Sequence, residues 1–193
     1  MRRGLVLLAL LAASMATSGC LVLGLDRFYD ETTITFDERL LGSWKDADDN
    51  VTAVIERSEW RSYKIKFTHP IETGTLTGYL FKEGTLTYLD LAPVRGQDGG
   101  SFVMPGHALV RVAIAADELT VAPLAHEWFM RALTAKTLPP SLQGFRSERE
   151  QIILAAPRAA LRRWLETRTA DDPAFGAAAT FRRLGTWPWL MRQ

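Results

Sequence analysis

The chain has 193 residues, 47% of them apolar and 23% charged, with a formal net charge of +1. That balance belongs to a folded domain and excludes a disordered or fibrous chain, and no basic stripe marks a nucleic-acid footprint. A single cysteine excludes an internal disulfide, so burial has to supply the stability.

Arg2 and Arg3 precede an apolar run from Leu5 to Ala16, and small residues lead from it into Thr17-Ser18-Gly19-Cys20. A positive start, a short apolar core and a small-residue end are the layout of a secretory signal. The run falls short of the ~20 apolar residues that a spanning helix needs. Ending on Gly19-Cys20, it resembles the lipobox of bacterial lipoproteins, with Thr17 where leucine is usual. The resemblance implies a signal peptide over 1–19, acylation of Cys20 (palmitate among the chains) and a body held at the membrane by a lipid anchor. One myristoyl-length chain binds only reversibly, whereas two or more hold, and the resemblance implies the latter. Leu21 is not the aspartate of inner-membrane retention, so the outer membrane is expected over the inner, with the body in the periplasm. Removing 19 of 193 residues leaves 174, enough for one domain, with a net charge of about −1 once Arg2 and Arg3 are gone.

Residues 20–38 read as a lipidated tether, with a first edge strand at Ile34 and Phe36. Residues 39–186 read as one β-rich domain. Leu41-Gly42-Ser43-Trp44 opens it, and Asp46 to Asn50 is a polar hairpin turn. Val51–Arg57 is β-branched, and Tyr63-Lys64-Ile65-Lys66-Phe67 alternates with period two, a strand with one wet face. After His69-Pro70, the segment Thr73–Lys82 puts Leu76 and Leu80 on one face, Tyr79 and Phe81 on the other. Glu83-Gly84 reads as a two-residue hairpin connection into Thr85–Leu91. Residues 93–106 form the longest loop. Strands follow at His107–Ala115 and Leu119–Val121.

Helical spacing appears only afterwards. Pro123 suits a first helical position, and Leu124, Trp128 and Ala132 repeat at i, i+4 with Ala125, Phe129 and Leu133 beside them. Thr134–Glu150 is a polar connection, and Gln151–Leu154 a short strand. A second helix starts at Pro157, with Leu161, Trp164 and Leu165 facing inward. Asp172-Pro173 begins one short turn, Thr180–Leu184 a last strand, and residues 187–193 a tail. Trp187 and Trp189 in that tail either fold back on the domain or rest at a membrane interface.

The Gly42-Ser43-Trp44 opening resembles the Gly-x-Trp that begins lipocalin-type barrels. The resemblance implies that Trp44 plugs the closed end and stacks on an arginine of the last strand, Arg182 or Arg183. Two helices ahead of the last strand depart from the lipocalin order. The opening Leu-Gly-x-Trp, the middle Leu89-Asp90-Leu91-Ala92-Pro93 and the C-terminal helix followed by Asp-Asp and Phe resemble a group of uncharacterised bacterial lipoproteins. The pattern of strands and helices reads as an α+β fold, an antiparallel β-meander curled into a barrel or half-barrel with two packed helices, and the resemblance to the lipoprotein group strengthens that architecture.

His69, His107 and His126 are the only histidines, and no two are three or four apart, so no local zinc motif exists and no cofactor is expected. Gly-x-Ser-x-Gly is absent. Asp46-Ala47-Asp48-Asp49-Asn50 begins like a calcium loop but has Val51 where glycine is needed and Arg57 where the bidentate glutamate belongs. Trp44, Tyr63, Phe67, Tyr79, Phe81 and Tyr88 form the apolar core or line an apolar pocket. The expected function is therefore a non-enzymatic, lipid-anchored envelope protein binding an apolar or amphiphilic small molecule. The alternative is an accessory lipoprotein docking onto another envelope protein, with a hydrolase built on His107 or His126 as a third reading.

Overall fold

The computed structural model describes residues 21–48, 50–70, 72–94, 106–148 and 150–185. Within them the chain opens with two short strands, β1 (Val22–Gly24) and β2 (Ile34–Thr35), and a 3-10 turn at Glu38–Leu40. A meander follows: β3 (Gly42–Asp46), β4 (Thr52–Arg57), β5 (Ser62–His69), β6 (Glu72–Glu83), β7 (Leu86–Pro93), β8 (His107–Ile114) and β9 (Glu118–Pro123). Then come helix α1 (His126–Thr134), a 3-10 turn at Pro140–Leu142, β10 (Gly144–Arg146), β11 (Ile152–Leu154), helix α2 (Arg158–Glu166) and β12 (Ala179–Gly185).

β12 pairs with both β3 and β9, and β9 pairs with β8, so eight antiparallel strands close into a barrel. The fold is α+β, and the barrel is closed, not a half-barrel. Upstream of Val110, β8 exchanges β9 for β1 along the same edge, with Leu23 opposite Ala108. β1 runs parallel to β11, and β10 completes this three-stranded flap as its outermost strand.

Period-two alternation sends side chains to two separate cores. Leu40, Trp44, Ile55, Tyr63, Ile65, Leu80, Leu89, Val110, Val112 and Leu119 fill the barrel. On the outer wall, Phe81, Tyr88, Leu109 and Leu124 are covered by Phe129 of α1 and by Leu161, Trp164 and Leu165 of α2. Burial on both faces of β6 to β8 is why their sequences carry apolar residues at odd and even positions alike.

The β6–β7 turn locks to α2. Glu83 is buried and accepts from Arg162 Nε at 2.7 Å. Gly84 takes φ +60°, and a Cβ there would lie 3.0 Å from the Glu166 carbonyl oxygen. The two turn residues are Gly84 and Thr85 instead of Glu83-Gly84, because Glu83 still pairs with Leu86.

Three further expectations need adjusting. From Leu21 on, the stretch read as a tether is built into the body: Val22, Phe28, Tyr29 and Ile34 are core residues. Three-residue β1 is too short to show a period, and distant β8 and β11 recruit it. The same holds for β10, inside the expected polar connection. Pro123 ends β9 instead of opening α1, whose first turn begins at His126 behind Ala125.

Burial pushes Tyr29, Tyr63 and Tyr88 each up to about 12. A raised phenol favours the neutral folded form, so this stability is fully present below the unfolded value of about 10. It is lost as the pH climbs toward 12. Three of the four tyrosines are therefore expected to ionise only as the chain unfolds, with absorbance at 295 nm and far-UV circular dichroism changing together. Full tyrosinate absorbance on an intact β spectrum near pH 10.5 would overturn this.

Candidate functional site at the barrel mouth

One end of the barrel is plugged from the sequence upward. The 3-10 turn at Glu38–Leu40 crosses beneath Trp44, whose indole Nε1–H donates to the Leu40 carbonyl at 2.9 Å. The Arg183 guanidinium lies 4.2 Å from the Trp44 ring centroid and donates to the carbonyls of Leu41 (2.7 Å), Arg39 (2.6 Å) and Ala116 (3.1 Å). Of the two candidate arginines, Arg183 makes the stack, because its register opposite Trp44 points it inward. Arg182 alternates to the exposed face. Tyr63 donates to and accepts from the Asp37 backbone and stacks on Phe36 at 4.7 Å, with Arg57 over the outer face of that ring.

The other end is different. Inward side chains there are apolar yet only half-buried: Ala53, Phe67, Leu76, Leu91, Val121 and Phe181. Below them Ile65 and Val110 are already down to 7% and 8% exposure. Among the described residues, burial thus falls off along the barrel axis, from a filled lower half to a ring of half-buried apolar side chains that forms a shallow bowl. A Cβ on Gly78 would come within 2.9 Å of Ile65 and 3.2 Å of Leu89, so the floor is packed. Asp46, buried beside Phe181 in the register, is the one inward carboxylate among these described residues, and it accepts from the Asp48 amide at 2.8 Å.

The six sequence-picked aromatics separate into two groups. Trp44, Tyr63 and Phe67 point into the barrel. Tyr79, Phe81 and Tyr88 point outward, under the helices and the N-terminal segment, and line no barrel pocket. There Tyr79 stacks on Tyr29 at 4.6 Å and Phe81 on Tyr88 at 5.5 Å. The Tyr88 hydroxyl is buried without a hydrogen-bond partner in the structure.

A polar pair that sequence reasoning missed lies on this outer wall. Asp90 is 0% exposed, accepts from the Phe28 amide at 2.8 Å, and its other oxygen lies 2.7 Å from His107 Nδ1. The available signal was a carboxylate set inside Tyr88-Leu89-Asp90-Leu91, where both strand faces are apolar. Among the described residues no hydroxyl nucleophile is bonded to His107. The His126 Nε2–H is engaged by the Glu150 carbonyl at 2.7 Å.

No described group of three or more His, Cys, Asp or Glu is arranged to hold a metal ion. Asp46 to Asn50 serves as the β3–β4 turn, closed by the Asp46 amide donating to the Val51 carbonyl. Cys20, the signal segment, most of the 93–106 loop and the Trp187/Trp189 tail lie outside the described residues. No described helix is long and apolar enough to cross a membrane. The chain matches no protein-family model, no curated protein and no solved structure.

Proposed function

We propose that this is a lipid-anchored, non-enzymatic cell-envelope protein, held by acylated Cys20, whose barrel mouth takes the apolar end of a small amphiphile. The observation that carries it is the burial gradient: a plugged, filled lower half and an apolar, half-open upper ring. The filled half limits the ligand to a short apolar segment seated in the bowl, with its polar end in water. The Trp44–Arg183 closure supports a lipocalin-like barrel, and the N-terminal pattern supports membership of a bacterial lipoprotein group.

Native mass spectrometry of the domain purified without detergent tests this, together with titration of cis-parinaric acid. Filling the bowl with Leu91→Trp should weaken probe binding about tenfold or more, since two or three lost methylene contacts are worth about 0.8 kcal/mol each. Stability should hardly change, because Leu91 is only half-buried. A bare mass in repeated preparations, with probe binding indifferent to the substitution, removes the ligand-binding reading.

A second reading, an accessory protein docking onto an envelope partner, draws on the opposite end. Trp60 and Arg61 occupy the β4–β5 turn with φ of +52° and +61°, and Trp60 is 64% exposed. Left-handed backbone costs an L-residue about 1–2 kcal/mol, and Trp and Arg are the side chains that dominate interface energetics. Failure of the mouth experiment favours this reading.

A further inference from the structure

The β10–β11–β1 flap has one face in the outer core, through Val22, Ile152 and Leu154, and a second face whose middle is buried and whose two ends are exposed. The register puts Leu23, Ile153 and Phe145 side by side on that second face, and Leu21 shares it by period two. Phe145 is 47% and Leu21 44% exposed, although both are large apolar side chains, while Ile153 between them is buried at 8% and Leu23 is half-buried against Gly106. Leu23 also stands opposite Ala108, which faces into the barrel at its open end, so this face continues into the apolar bowl.

The position of Leu21 says what covers it. Its carbonyl accepts from the Ile152 amide at 3.0 Å, so the chain is already part of the sheet one residue after Cys20. Consecutive Cα atoms are about 3.8 Å apart, which leaves no slack between an acylated Cys20 and the flap. Wherever the acyl chains enter the bilayer, Leu21 and the neighbouring strands stand at its surface.

We propose that the exposed ends of this face, Leu21 and Phe145, rest on the bilayer interface as a lip, holding the barrel in a fixed orientation with its mouth beside the lipid headgroups. This rests on acylation of Cys20. Aromatic and aliphatic side chains are favoured at that depth, and the Arg146–Glu150 pair at the end of β10 meets the polar headgroup layer.

The test uses the full acylated chain in phosphatidylcholine–phosphatidylglycerol vesicles, with the fluorophore NBD on Phe145→Cys or, as reference, on Trp60→Cys. Acylation occupies Cys20, leaving the introduced thiol as the one that reacts, and both sites are exposed enough to be altered without loss of the fold. Co-flotation with the vesicles reports the anchor; quenching by nitroxide-labelled lipid reports the lip. The expected result is blue-shifted, quenched emission at 145 and water-like, unquenched emission at 60. A chain that floats but shows water-like emission at 145 overturns the lip and leaves the anchor standing. A chain that takes up no fatty-acid label overturns both. Blue-shifted emission at 145 without vesicles, in a chain that runs as a dimer, shows that a second copy covers this face and also overturns the lip.

Discussion

Asp90→Ala is expected to destabilise the protein by about 3–5 kcal/mol, with the loss showing first in residues 22–29. The carboxylate is the common acceptor for the Phe28 amide and the His107 ring, at 2.8 and 2.7 Å, and it is itself 0% exposed. Each buried donor left unpaired costs about 1–3 kcal/mol, and the truncation adds a small cavity. For a chain of this length that lowers the melting midpoint by roughly 10 °C. His107→Ala should cost less, because its side chain is 20% exposed and water can reach the oxygen it vacates. Asp90→Asn should fall between the two, since its amide can accept from one donor but turns an NH2 toward the other. Hydrogen exchange gives the sharper readout. The Phe28 amide should lose protection while the β5–β6 ladder keeps it. Equal protection in Asp90→Ala and the parent would show that the N-terminal segment is held by the Phe28 ring alone.

That pair also marks how far the sequence could be followed. Strands with one wet face were legible: Tyr63-Lys64-Ile65-Lys66-Phe67 alternates, and β5 places Tyr63 and Ile65 in the barrel core. Where helices cover the outer wall, alternation separates two faces but does not say which is inside. Leu76 and Leu80 therefore parted correctly from Tyr79 and Phe81, yet both sets looked equally interior. The same covering hides Asp90, which the pattern alone would place in water. β1 and β10 were invisible because three residues carry no period and their partners lie more than eighty residues away or on another short strand. The bowl has no motif at all. It is set by where eight strands stop relative to one another, a property of register that single segments do not encode.

Arg183→Ala is expected to cost about 3–4 kcal/mol, and Arg183→Lys about 2 kcal/mol, a gap that comes from shape at equal charge. The guanidinium is planar, so it stacks on Trp44 while its fork reaches the carbonyls of Arg39, Leu41 and Ala116. An ammonium could keep one of those bonds and would lose the stack. Because Trp44 already holds the Leu40 carbonyl, the two side chains between them satisfy three successive carbonyls of the plugging turn. With 11% side-chain exposure the cation–π contact is largely dry, and a cycle of Trp44→Leu with Arg183→Met should give a coupling of about 2 kcal/mol. Coupling near zero would mean that the guanidinium serves the carbonyls and the Asp117 carboxylate 3.7 Å away, and not the ring. Since the plug closes the end away from the bowl, these variants should lower the unfolding midpoint and blur the near-ultraviolet circular dichroism of the tryptophans. Any probe binding at the mouth should stay within about twofold of the parent at temperatures where they are still folded, because distant sites that share no partner add nearly independently.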